Sequence, residues 1–220
     1  MLKRFFFRSR TRIHGQSFVE LSLVVLILAL MLAGVVEFGY LLNSYLKVLD
    51  GAREGARYSN SSVAFDPATG VSDQNFYIVT AGVTMQVMSP IVLNGNRGDD
   101  IVISVFSVGG TPSAPTIVRW PLEDPFGWSM CANYSIPALA LHLPDWSSCT
   151  PRVSHFTTSQ VLALRGGAPA SGILLVEVYY NYPQILKLPV FDQVIPDPIP
   201  VYTYAIMPLS SAEPTPTPSH

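Results

Sequence analysis

The chain has 220 residues, 49% of them hydrophobic and only 13% charged, with nineteen prolines and a formal charge of −2. That charge is unevenly placed: Lys3, Arg4, Arg8, Arg10 and Arg12 stand in the first fifteen residues with no acid among them. The remainder carries eight basic against fifteen acidic residues, a balance of −7 that argues against nucleic acid as its partner.

The basic leader ends at Gly15-Gln16-Ser17-Phe18-Val19-Glu20, and from Leu21 to Val36 no charge interrupts the apolar run. At about 1.5 Å of rise per residue, a helix over 18–36 spans roughly 28 Å, close to the thickness of a bilayer's hydrocarbon core. Positive charge on one flank predicts that the leader stays in the cytoplasm and that the C-terminal part is extracytoplasmic. Glu20 is the odd residue, because a carboxylate at the start of such a span is costly and usually has a partner and a purpose.

This order resembles the type IV prepilin class, in which a basic leader is followed by Gly, a Glu five residues later, and an unbroken apolar helix. The resemblance implies cleavage by a prepilin peptidase between Gly15 and Gln16. It also implies docking of neighbouring subunits through the freed amino group and Glu20. Further on, Val36-Glu37-Phe38-Gly39-Tyr40 and Gly51-Ala52-Arg53-Glu54-Gly55-Ala56-Arg57-Tyr58 are similar to the pattern of the TadE-like pseudopilins, minor pilin-like components of tight-adherence pilus systems. The likeness covers residues 15 to about 59. It implies a non-enzymatic subunit whose partners are the membrane, other pilin-like subunits, the prepilin peptidase and the pilus assembly machinery.

The same residues carry a reading of their own. Phe38, Leu41, Leu42, Tyr45, Leu46, Leu49, Ala52 and Ala56 recur at helical spacing, with Asn43, Lys47, Asp50, Arg53, Glu54 and Arg57 mainly between them. The membrane helix is thus expected to continue as an amphipathic stalk over 16–59, with Asp50–Arg53 and Glu54–Arg57 as i,i+3 pairs worth about 0.2–0.5 kcal/mol each. Gly51 and Gly55, beside Ala52 and Ala56, offer a small-residue surface for close packing; the alternative is a frayed helix end. Glu37 falls about 25 Å along the axis from Glu20, at the outer interface, as a solvated boundary residue or a contact to an assembly partner. With Glu20, Arg53, Glu54 and Arg57 it completes the set of candidate assembly contacts.

Residues 60–208 are expected to form one extracytoplasmic α+β domain. Residues 60–74 read as a polar connector. Residues 76–93 suit a helix ending before Pro90, and 94–100 form a turn cluster. The β-branched run 101–108 reads as a strand, with 173–180 as its antiparallel partner and 201–206 as a third. The fold class is therefore a long transmembrane and stalk helix, a second helix and a small antiparallel sheet, with an insert over 109–172. A structureless loop of that length is improbable, so the insert is expected to fold as a subdomain. Cys131 and Cys149 are its expected disulfide, two free thiols being the alternative, and they lack the ligand number for a metal. Trp120, Trp128 and Trp146 could form a binding face or pack around that bond. Gly109-Gly110 and Gly166-Gly167 read as turn signals. His142 with Asp145, and His155, lack any motif that would make them catalytic, so neither a catalytic site nor a cofactor is expected. Residues 209–220 form a Pro/Thr-rich tail of extended character.

Two other classes compete with the pilin-like subunit. A single-pass anchor with an extracytoplasmic ligand- or surface-binding domain leaves the spacing of Gly15 and Glu20 unexplained. A secreted domain freed by signal peptidase is disfavoured by Met31, a bulky residue at the small-residue position upstream of Ala33.

Overall fold

The computed structural model describes residues 14–65, 71–111, 114–121, 124–136, 146–165, 171–187 and 195–212. The leader residues 1–13, His142, Asp145, Gly166-Gly167 and the end of the tail lie outside them. The chain divides into two units, Met1–Tyr40 and Leu41–His220. Helix α1, His14–Ser59, contributes to both.

In the first unit α1 is apolar all round, and its side chains are open on every side: Phe18 is 72% exposed, Leu28 66% and Val35 69%. A helix of this kind needs either a protein core or a membrane to cover it, and the described residues of its own unit supply no core.

In the second unit the later part of α1 buries Val48, Gly51, Ala52, Gly55, Ala56 and Ser59, a stripe at helical spacing. Helix α2, Gln74–Met88, packs on that stripe and is started by Asp73, whose side chain accepts the Asn75 N–H at 2.9 Å. Pro90 supplies no N–H to continue it, so α2 stops as its sequence predicts. The absent side chains are what bring the helices together. A Cβ on Gly55 would stand 2.1 Å from Thr84 Oγ1, and one on Gly51 would stand 2.4 Å from Met88 Cγ and 2.9 Å from the Thr84 carbonyl oxygen. Thr80 and Thr84, both fully buried on α2, turn their hydroxyls back to the carbonyls of Phe76 and Thr80, which satisfies them inside an apolar contact.

The sheet is antiparallel, in the order β2-β1-β4-β5, with β3 also on β1. Its strands are β1 Asp100–Thr111, β2 Ala114–Trp120, β3 Trp128–Ser129, β4 Ser171–Tyr182 and β5 Ile199–Pro208. The three predicted strands are present, each longer than its β-branched run; β1 pairs with β4 as expected, and β5 pairs with β4. Alternation sorts the residues by face. Ile101, Ile103, Val105, Leu174, Val176, Val178 and Ala205 join the core that includes α1 and α2. Phe106 and Leu175 face the other way, under Val161 of α3, Thr158–Arg165.

The stretch 109–172 differs from its sequence reading. Its described residues do not form a separate subdomain: β2 extends the main sheet through pairs such as Val108↔Ile117, and β3 pairs Trp128 with Ile103. Trp128 and Trp146, 4% and 1% exposed, belong to the same core as β1 and β4, while Trp120 stacks on Phe65 with ring centroids 4.6 Å apart. The tryptophans therefore pack rather than present a binding face. Gly109 and Gly110 lie within β1 and not in a turn. Gly110, at φ +82°, bends the strand where a Cβ would meet the Ala114 carbonyl oxygen at 2.4 Å. Glycine and proline masked β2 in the sequence, since both are depleted in strands and mark turns far more often.

Candidate functional site

Among the described residues, one helix segment, Ser17–Ser59, is long and apolar enough to cross a membrane. Gly15 and Gln16 are helical residues of α1, in its first turn. Glu20 lies on the next turn with an exposed side chain, and Glu37 is half-buried. Near the other end of α1, Arg57 Nε donates to Glu54 at 2.8 Å and Arg53 lies 4.0 Å from Asp50, so both predicted i,i+3 pairs form. All four of these side chains point away from the buried stripe, and the exposed pairs add little to stability. Their position leaves a charged helix face open to solvent or to a partner.

Cys131 and Cys149 are bonded. The bond lies within a polar frame that the sequence reading missed. Asp100, fully buried at the start of β1, accepts four hydrogen bonds. The Ile101 and Cys131 N–H groups donate to Oδ1 at 2.8 and 3.0 Å. The Ser129 hydroxyl and the Arg152 N–H donate to Oδ2 at 2.6 and 2.9 Å. One carboxylate thus ties β1 to the chain on both sides of the disulfide. Burial is the largest influence on it and outweighs those donors, pushing its pKa up to about 6. In sequence Asp100 was only part of a turn cluster.

A second frame joins β2 to the segment before α3. The buried Arg119 guanidinium donates to Asp124 at 2.9 Å, to the Phe156 carbonyl at 2.9 Å and to the Ser104 hydroxyl at 2.6 Å, and lies over the Phe106 ring. Burial works against the Asp124 carboxylate, but bonds from Thr158 and Arg119 prevail and hold its pKa below the usual range. The Ser129 hydroxyl and the Asp100 carboxylate that it meets are both buried, 3% and 0% exposed. His155 stacks on Tyr202, and its backbone N–H donates to the buried Glu177. Among the described residues no group of three His, Cys, Asp or Glu side chains is placed to hold a metal ion.

A long apolar N-terminal helix, a second helix packed on its glycines, and a small antiparallel sheet with a disulfide define an α+β protein with, among the described residues, one helix of membrane-spanning length and composition. Residues 15–57 match the family model described as TadE-like protein. No curated protein and no solved structure matches the chain.

Proposed function

We propose that this chain is a non-enzymatic, minor pilin-like subunit of a tight-adherence type pilus or a related surface or secretion apparatus. A prepilin peptidase cuts it between Gly15 and Gln16. Its apolar helix then holds it in the membrane, with the C-terminal domain extracytoplasmic, until the assembly machinery brings it beside other pilin-like subunits. The observation that carries this reading is the order of basic leader, Gly15, Glu20 and apolar helix, of which all but the leader falls in the segment that matches the TadE-like model.

Cleavage would make Gln16 the amino terminus and Glu20 the fifth residue, at the membrane boundary. A charge-assisted hydrogen bond between such a group and a carboxylate contributes about 1.5–3 kcal/mol where water is scarce. In hydrocarbon a free carboxylate is costly, so a neighbouring subunit that supplies the amino group is selected over one that does not. Glu37, at the outer interface, and Arg53, Glu54 and Arg57, on the charged face of α1, are further contact residues in this scheme.

Mass spectrometry of the chain purified from membranes tests the reading. A mature start at Gln16 is the expected result. A start after Ala33 would establish a secreted domain instead, and an intact Met1 would favour a plain single-pass anchor.

A further inference from the structure

Beside the disulfide lies an open cleft of about 510 Å³ between the turn Gly95–Arg97 and residues 148–153. Its polar wall consists of Asn96, Arg97, Ser148, Thr150 and Arg152, with no carboxylate among the lining residues. The two sides are fastened to each other. Ser148 N–H donates to Asn96 Oδ1 at 2.8 Å, and Arg152 Nε donates to the Gly98 carbonyl at 3.1 Å. The Arg152 N–H is held by Asp100, and the disulfide anchors Cys149 between Ser148 and Thr150.

Both guanidinium groups are oriented before any ligand arrives. Arg97 lies 6.0 Å from the Tyr180 ring centroid with one terminal nitrogen on Asp99 at 3.1 Å, and Arg152 lies 5.9 Å from the Tyr179 centroid. The two acids behind the cleft are saturated. Asp99, 1% exposed, accepts from the Asn94 and Asn181 N–H groups as well as from Arg97, and Asp100 has its four donors. They weaken the long-range field of the arginines, but neither of them lines the cleft.

We propose that this cleft binds a tetrahedral oxyanion, phosphate in its simplest form, between the terminal nitrogens of Arg97 and Arg152. The Ser148 and Thr150 hydroxyls serve as neutral donors. A planar carboxylate presents its two oxygens to one side, whereas a phosphate has oxygens for both walls at once and matches the guanidinium fork. Because both arginines reach solvent and the acids stand behind them, binding is modest and weakens with salt. The phosphate arrives either as the free anion or as an ester such as a lipid headgroup.

The test is calorimetric titration of the full chain, in neutral maltoside micelles, with sodium phosphate and separately with glycerol phosphate at constant ionic strength. One saturable site is expected, with affinity reduced roughly tenfold by Arg152→Gln and by a factor of about two to five by Ser148→Ala. Tighter binding of glycerol phosphate assigns the site to an ester; equal or weaker binding assigns it to the free anion. Absence of saturable heat with both probes overturns the proposal, as does unchanged affinity in Arg152→Gln. If Arg152→Gln loses its near-ultraviolet circular dichroism, Ser148→Ala decides, since its exposed hydroxyl supports no other contact, and an unchanged affinity there overturns the proposal too.

Discussion

At Glu20 the proposed role separates insertion from assembly. Glu20→Ala removes a charge from an apolar helix, so membrane content should be unchanged or higher. Cross-linking to partner pilins should fall, in keeping with a lost contact of about 1.5–3 kcal/mol. Unchanged cross-linking together with unchanged piliation would remove Glu20 from the assembly contacts. Two glycines give a sharper contrast, because their surroundings differ while the helix propensity gained from alanine is the same, about 1 kcal/mol. At Gly82 a new Cβ meets nothing within 4 Å, so Gly82→Ala should stabilise the domain by about 0.5–1 kcal/mol. At Gly55 it meets the short, β-branched Thr84 at 2.1 Å. Overpacking costs about 1–3 kcal/mol and outweighs the propensity gain. Gly55→Ala should therefore lower the thermal midpoint, and Thr84→Ala in the same chain should restore part of it. Circular dichroism melts of the four chains check the signs.

At the scale of elements, Asp100 couples β1 to the residues on both sides of the disulfide. Its pKa of about 6 exceeds the ordinary unfolded value, so the folded state takes up a proton that the unfolded chain releases. The sign follows: this group's contribution is fully present below about pH 4 and is lost as the pH rises through 6, a change on the order of 3 kcal/mol. Asp100→Asn should flatten the pH dependence of stability between pH 4 and 6, as read from denaturant midpoints. At pH 7 the amide escapes the cost of burying a charge but leaves the Arg152 N–H without an acceptor, about 1–3 kcal/mol, so the two effects largely offset. A pH profile parallel to that of the unaltered chain would locate the titration elsewhere.

For the whole molecule, the disulfide acts on the shared core of Leu41–His220. Cys131, Trp128, Met130 and Trp146 pack in one cluster with Ile101, Ile103, Leu174 and Val176, so the described residues of 109–172 share the main core. Closing the loop between residues 131 and 149 contributes about 3 kcal/mol in the chain-entropy model. Reduction should lower the thermal midpoint of the domain as one transition and expose β4 and β5 to protease along with 109–172. Cleavage confined to 109–172 under reductant would show instead that the bond serves that stretch alone.

The N-terminal helix was legible in the sequence because its determinants are local. An unbroken apolar run needs no tertiary partner to be recognised, and the spacing of Gly15, Glu20, Glu37 and the Arg53–Arg57 segment is a property of the chain itself. The strands 101–108, 173–180 and 201–206 and the stop before Pro90 were legible for the same reason, as alternation and a missing N–H act within a few residues. Which side of α1 is buried was less so. Leu42 and Leu46 read as part of the apolar face yet are 46% and 49% exposed, while Gly51 and Gly55 lie in the contact with α2. Hydropathy records what a side chain prefers, whereas close approach of two helices depends on what is absent. Tertiary structure alone decided that β2 completes the main sheet, that Asp100 gathers donors from Ser129, Cys131 and Arg152, and that Arg97 and Arg152 line one cleft. The partners of Asp100, and the two arginines, lie about 30 to 55 residues apart in the chain, and strand pairing and the disulfide bring them together.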